Sequence, residues 1–182
     1  MKKIVSLASG SGTLAQAIFA ATKDYEIAAL ISDRPQAGVI QIAQQFGAKV
    51  ELLPMSDDRK SWDRDIQEIT RKYQPDLVVS AGFMRILSPE YVSTFKVINS
   101  HPALLPLFPG AHAVRDALAA GATETGTTIH WVDEGVDTGE VIAQAKVEIT
   151  PTDTEESLHE RIKIIERGLI VATIPQVLAE LK

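Results

Sequence analysis

The sequence predicts an α/β protein with an open, mostly parallel sheet and antiparallel strands added towards its C-terminal end. Three observations predict it. Short β-rich runs alternate with helical patterns through the first half of the chain. Those runs are apolar with little interruption, as expected of strands covered by helices on both faces. Beyond about residue 97, two strand-like runs follow each other with only a few residues between them, too few for the crossover that parallel strands need.

The first strand is "KIVSLAS" (3–9), and a helix runs from about Thr13 to Thr22. "EIAALIS" (26–32) is the second strand, "PQAGVIQIAQQFG" (35–47) a helix closed by Gly47, and "KVELLP" (49–54) the third strand. From about Asp58 to Tyr73, residues Trp62, Ile66, Ile69 and Tyr73 recur at spacings of four, three and four, which gives a helix one apolar face. "DLVVSAG" (76–82) reads as a fully buried strand. Right-handed crossovers join such units. "KVINS" (96–100) leads into a loop, a short Ala-rich helix (112–120), and the strands "TGTTIHWV" (125–132) and "EVIAQAKVEI" (140–149). A last helix starts at Thr152-Asp-Thr-Glu155, a capping-box pattern, and is expected to bury Leu158, Ile162, Ile165 and Leu169. No repeat or linker interrupts the chain, so residues 1–182 are expected to form a single domain.

Composition narrows the function classes. A net charge of -6 argues against general nucleic-acid affinity, because phosphate backbones attract basic surfaces. The absence of cysteine removes disulfides, thiolate nucleophiles and cysteine-ligated zinc, and fits a cytoplasmic protein. The N-terminus imitates a signal peptide, but Ser-Gly-Ser-Gly-Thr (9–13) cuts its apolar run with turn residues. No stretch approaches the roughly 18 apolar residues of a membrane span. The expected partners are small molecules, with neither nucleic acid nor membrane; a homodimer is left open.

"SGSGTLAQ" (9–16) lies between the first strand and the first helix. Amides at a helix N-terminus carry partial positive charge, and glycines let an anion approach them closely. A phosphate is the natural guest. Gly10-Ser-Gly12-Thr-Leu-Ala15 also fits G-x-G-x-x-A, with Asp33 about twenty residues on. A nicotinamide-dependent oxidoreductase is therefore a second reading, and a tight turn without ligand is a third.

"VINSHPALLP" (97–106) ends a strand on Asn99 and His101. Residues i and i+2 share a strand face about 6.5–7 Å apart, and Pro102 keeps His101 extended. Ligands in open α/β sheets bind beyond the carboxyl ends of the strands. A neutral amide donor beside an imidazolium suits a carbonyl oxygen that becomes an oxyanion. The imidazolium requires a nearby carboxylate. Among the acids of "DEGVDTG" (133–139), Asp137 is the candidate. A metal reading would need His101, His112, His130 and Asp137 to converge, but there is no H-E-x-x-H and no tight ligand pair.

"AGFMRILSPEYV", "INSHPALLPLFPGAHAVRDAL" and "GTTIHWVDEGVDTGEVIAQAKV" resemble the phosphoribosylglycinamide formyltransferases, over about residues 3–175. The resemblance implies a three-layer αβα sandwich. It also implies transfer of a formyl group from the co-substrate 10-formyltetrahydrofolate to the amine of glycinamide ribonucleotide, without metal. The family's catalytic Asn, His and Asp fall on Asn99, His101 and Asp137, with the Asp acting on the His through an ordered water. The nucleotide site falls on Gly12, Thr13, Leu14 and Glu166. The folate site falls on Arg59, Met84, Arg85, Ile86 and Leu87, on Asn99, and on Asp133, Glu134, Gly135, Val136 and Asp137. Two departures stand out: Leu14 where the family often has Asn, and Ala103 where it often has Ser. Related families add a C-terminal tRNA-binding domain or an N-terminal regulatory domain, and neither is expected here.

Overall fold

In the computed structural model, which describes residues 1–181, seven strands form one sheet in the order β3-β2-β1-β4-β5-β6-β7. The expected single domain over 1–182 thus includes one residue, Lys182, outside the described residues. The strands are β1 (Lys2–Leu7), β2 (Tyr25–Ser32), β3 (Lys49–Leu52), β4 (Leu77–Ser80), β5 (Val97–His101), β6 (Glu124–Trp131) and β7 (Val141–Glu148). The helices are α1 (Thr13–Ala20), α2 (Val39–Gln45), α3 (Arg59–Tyr73), α4 (Pro89–Thr94), α5 (Ala113–Ala119) and α6 (Glu155–Glu180). The first five strands pair in parallel, whereas β5 with β6 and β6 with β7 pair antiparallel.

Strand periodicity sends alternate residues to opposite layers. Ile4, Leu30, Val79, Ile98 and Ile129 pack under α1, α2 and α6. Val5, Leu7, Ile31, Val78 and Val97 pack under α3 and α4. This is the expected αβα sandwich. On α3, Trp62 and Ile66 are buried while Ile69 and Tyr73 are partly covered. Burying a large apolar side chain contributes about 1.5–3 kcal/mol, so this stripe is a main anchor of its layer.

Three details differ from the sequence expectations. The short helix α4 was not predicted, although Ser88 caps it by accepting from the Tyr91 N–H at 3.1 Å and Pro89 occupies its first turn. The capping box of α6 lies two residues later than expected. Thr154 Oγ1 accepts from the Ser157 N–H, and Ser157 Oγ accepts from the Thr154 N–H. Ile165 is 40% exposed rather than buried. The covered stripe runs Leu158, Ile162, Ile170, Ile174, and the four-residue spacing places Glu166 within it.

Candidate active site

The sheet reverses strand order between β1 and β4, where an open α/β sheet forms its ligand crevice. A cleft of about 620 Å³ opens there, of a size that holds a small-molecule substrate. The loop after β1, the segment after β4, the end of β5, the loop between β6 and β7, and α6 all contribute to its lining.

Asn99 and His101 leave the same face of β5 and both line the cleft. His101 Nε2 lies 2.8 Å from the Phe108 carbonyl oxygen. A carbonyl only accepts, so Nε2 carries a hydrogen and Nδ1 is the atom that gains or loses a proton. Nδ1 is 3.4 Å from Asp137 Oδ2. That approach is direct, too close for an intervening water, which corrects the water-mediated contact implied by the resemblance.

Asp137 holds its own position through the Gly110 N–H, which donates to Oδ2 at 2.8 Å. Its backbone is in the left-handed region (φ 55°), a conformation that Asp tolerates better than most residues. Burial pushes its carboxyl up. His130, the Gly110 N–H and the positive charge that His101 and His130 can carry outweigh burial and hold it below the ordinary carboxylate value. The Gly110 bond is the firm contact, since His130 Nε2 stands 3.6 Å from Oδ1. His130 also has Nδ1 2.8 Å from the Trp131 carbonyl and Nε2 3.3 Å from Asn99 Nδ2. Nε2 therefore serves one of two neighbours: without a hydrogen it accepts from the Asn99 amide, and with one it points that hydrogen towards Asp137 Oδ1.

The loop carrying Asp137 is folded by Asp133, whose Oδ1 accepts from the Gly135 N–H at 3.0 Å and from Thr138 Oγ1 at 2.6 Å. Gly139 is required where the loop returns to β7: a Cβ there would lie 1.6 Å from the Trp131 carbonyl oxygen.

On the other side of the cleft, Gly12 precedes α1 at φ 86° and no side chain caps the helix. The first amides of α1 are left for a ligand. Leu14 is buried among core residues although it borders the cleft, so this position offers its backbone and no polar side chain. Ala103 is fully buried and its carbonyl accepts from Thr128 Oγ1.

Met84 and Ile86 are exposed, Leu87 is buried, and Arg85 bonds to Asp33; together they form a wall of the cleft. Two candidates stand away from the lining. The Arg59 guanidinium donates to the Ile86 carbonyl, pairs with Asp63 at 2.7 Å and lies over Trp62, bracing the wall from behind. Glu134 is exposed, outside a lining that includes Asp133, Gly135, Val136 and Asp137. From α6, Glu166 reaches the cleft rather than sitting on a solvated face. Burial pushes its carboxyl up, opposed by a hydrogen bond from Ser100 and by the charges of Lys163 and Arg167.

Sequence reasoning missed His159, Lys163 and Ser100, which also line the cleft. The four-residue steps 159, 163 and 167, set against a buried stripe at 158 and 162, were the available signal for the α6 pair. Burial and the neighbouring Lys163 push the His159 imidazole down. Among the described residues, no group of three or more His, Asp or Glu is placed to hold a metal ion.

A family model described as formyl transferase matches residues 2–174. The chain belongs to the formyl transferase family. A phosphoribosylglycinamide formyltransferase of Mycobacterium tuberculosis is 46% identical over 179 residues, covering 94% of this chain and 83% of that protein. Its counterpart in Bacillus subtilis is 39% identical, covering 98% and 95%. The crystal structure of glycinamide ribonucleotide transformylase 1 from Symbiobacterium toebii superposes with a TM-score of 0.95 at 35% identity, covering 98% of this chain and 88% of that one.

Membership leaves the oxidoreductase reading without support, and the structure gives Asp33 another task. Its side chain is fully buried, accepting from Ser9 Oγ at 2.5 Å and from Arg85 Nε at 2.7 Å. A carboxylate so engaged is not presented to a ribose.

Proposed function

We propose that this chain transfers the formyl group of 10-formyltetrahydrofolate to the amine of N1-(5-phosphoribosyl)glycinamide, a step of purine synthesis. One observation carries the reading: an amide, an imidazole and a carboxylate meet at a strand end, with His101 Nδ1 3.4 Å from Asp137. They do so between a loop suited to a phosphate and a wall suited to a flat apolar ring.

The phosphate would sit on the amides of Gly12, Thr13 and Leu14, with Lys163 as counter-charge and Glu166 beside the ribose hydroxyls. The pterin would lie against Met84 to Leu87 and the 133–137 loop. Bringing both substrates into one cleft makes the reaction effectively unimolecular. The neutral amine attacks the formyl carbon, a carbon–nitrogen bond forms, and the carbonyl π pair moves to oxygen. The Asn99 amide and protonated His101 Nδ1 donate to that oxygen, and ionised Asp137 stabilises the imidazolium. The intermediate collapses as the carbonyl re-forms and the bond to the folate nitrogen breaks. The amine gives up one proton and the folate nitrogen gains one, relayed through His101 and Asp137.

The test is formyl transfer by the purified chain with the nucleotide present and omitted. Turnover that depends on the nucleotide amine is expected. Formate release at the same rate without it would make the chain a hydrolase instead. A cytoplasmic setting fits the reading, and among the described residues no helix is long and apolar enough to cross a membrane.

A further inference from the structure

Residues of β5 alternate between the two faces of the sheet. Asn99 and His101 project on the side of α3, whereas Ser100 shares a face with Ile98, on the side of α1 and α6. All three still line the cleft, because it wraps around the strand's carboxyl end. Ser100 is 8% exposed, and its Oγ lies 2.5 Å from Glu166 Oε1. Thr127 Oγ1 stands 3.4 Å from the same hydroxyl. Since a carboxylate accepts, Ser100 donates to Glu166 and is left to accept from Thr127. Among the described residues, Glu166 has no other hydrogen-bond donor, because Lys163 is turned to Glu160 at 2.8 Å. Its second oxygen is therefore left for a ligand.

We propose that Ser100 is a positioning residue for the nucleotide substrate: by holding Glu166 Oε1 it aims the other carboxylate oxygen at the hydroxyls of a pentose. The assignment rests on the functional reading above and extends it to how a ribose is distinguished from a deoxyribose. Burial disfavours the charge on Glu166, and the Ser100 hydroxyl is the neighbour that favours it by direct contact. Successive residues of β5 thus serve different substrates, with the formyl oxygen on one face and the sugar on the other. A site that hydrogen-bonds a hydroxyl rejects the analogue lacking it, because its own polar group is then left unpaired.

The experiment is calorimetric titration with ribose 5-phosphate and 2-deoxyribose 5-phosphate, of the wild type, Ser100→Ala, Ser100→Thr, Glu166→Gln and the Ser100→Ala/Glu166→Gln double variant. The wild type is expected to prefer ribose 5-phosphate. Ser100→Ala should cut that preference about ten-fold, the scale of one hydrogen bond to a charged group, and Ser100→Thr should restore part of it. In the Glu166→Gln background Ser100→Ala should add little, because the two act as a unit. In formyl transfer, the loss should appear in the nucleotide KM rather than in kcat. An unchanged preference in Ser100→Ala, additive effects in the double variant, or no wild-type preference overturns the assignment. The titration needs no turnover. A wild type that discriminates between the sugars but transfers no formyl group overturns the functional reading and leaves the Ser100 assignment standing.

Discussion

Asp33→Asn keeps the shape of a fully buried side chain and removes its charge. The native carboxylate accepts from Ser9 Oγ at 2.5 Å and from Arg85 Nε at 2.7 Å, and Ser9 Oγ accepts in turn from the Met84 N–H at 2.9 Å. An amide cannot satisfy this set. With its oxygen towards Ser9, its NH2 meets the Arg85 N–H donor to donor. With its oxygen towards Arg85, the Ser9 hydroxyl hydrogen loses its acceptor. One donor hydrogen is left without an acceptor either way, and a bond to a charged group is worth about 1.5–3 kcal/mol. Arg85 is about one-third exposed, so water takes up part of the cost. A loss of about 2 kcal/mol follows, read from urea unfolding at pH 7. Because Ser9 and Arg85 hold the 84–87 wall, the folate KM should rise more than the nucleotide KM. A loss below about 0.5 kcal/mol, typical of an unconstrained surface site, would refute the claim that this cluster holds the wall.

Other perturbations probe the rest of the cleft. Gly12→Ala places a Cβ 2.7 Å from the Val39 Cα at φ 86°; overpacking and backbone strain of this kind cost about 1–3 kcal/mol, visible as a lower Tm. Asp137→Asn removes the charge beside His101 Nδ1 and should lower kcat about 10²–10³-fold, the scale of losing one oxyanion stabiliser. Because its environment lowers the Asp137 pKa, its contribution to stability is present above its unfolded value and is lost only as pH falls through the lower folded one. Glu166 has the opposite sign. Its carboxyl is raised above 4.5, so the nucleotide KM should climb on acidification before ordinary carboxylates titrate. Glu166→Gln should raise the Tm at pH 7, with an advantage that shrinks as pH falls through the raised value.

The layers and the placement of Asn99 and His101 at a strand end were legible because they rest on local signals. Apolar runs marked strands covered on both faces, and Asn99 and His101 shared a face by the two-residue period alone. Asp137 needed a contact across the sheet, but it sits in a loop that its own Asp133, Gly135 and Gly139 fold. Glu166 was harder to read, since a lone acid on a helix usually faces solvent; it is turned inward because it falls on the stripe of Ile162 and Ile170. Ile165, apolar but one position off that stripe, is 40% exposed instead. Asp33 matched a ribose-binding pattern, yet Ser9 and Arg85, far from it in sequence, claim its carboxylate. Contacts of that kind depend on which loops the sheet brings together, and no local spacing records them.

The most direct test of the transfer centre is His101→Ala, assayed for formyl transfer beside the affinity of a non-reactive folate analogue. Loss of a positioned acid and oxyanion donor predicts a fall in kcat of about 10²–10⁴-fold, with analogue affinity within a few-fold of wild type. Turnover close to the wild-type rate in a folded His101→Ala protein would contradict the account, because the imidazole at the end of β5 would then have no part in moving the formyl group.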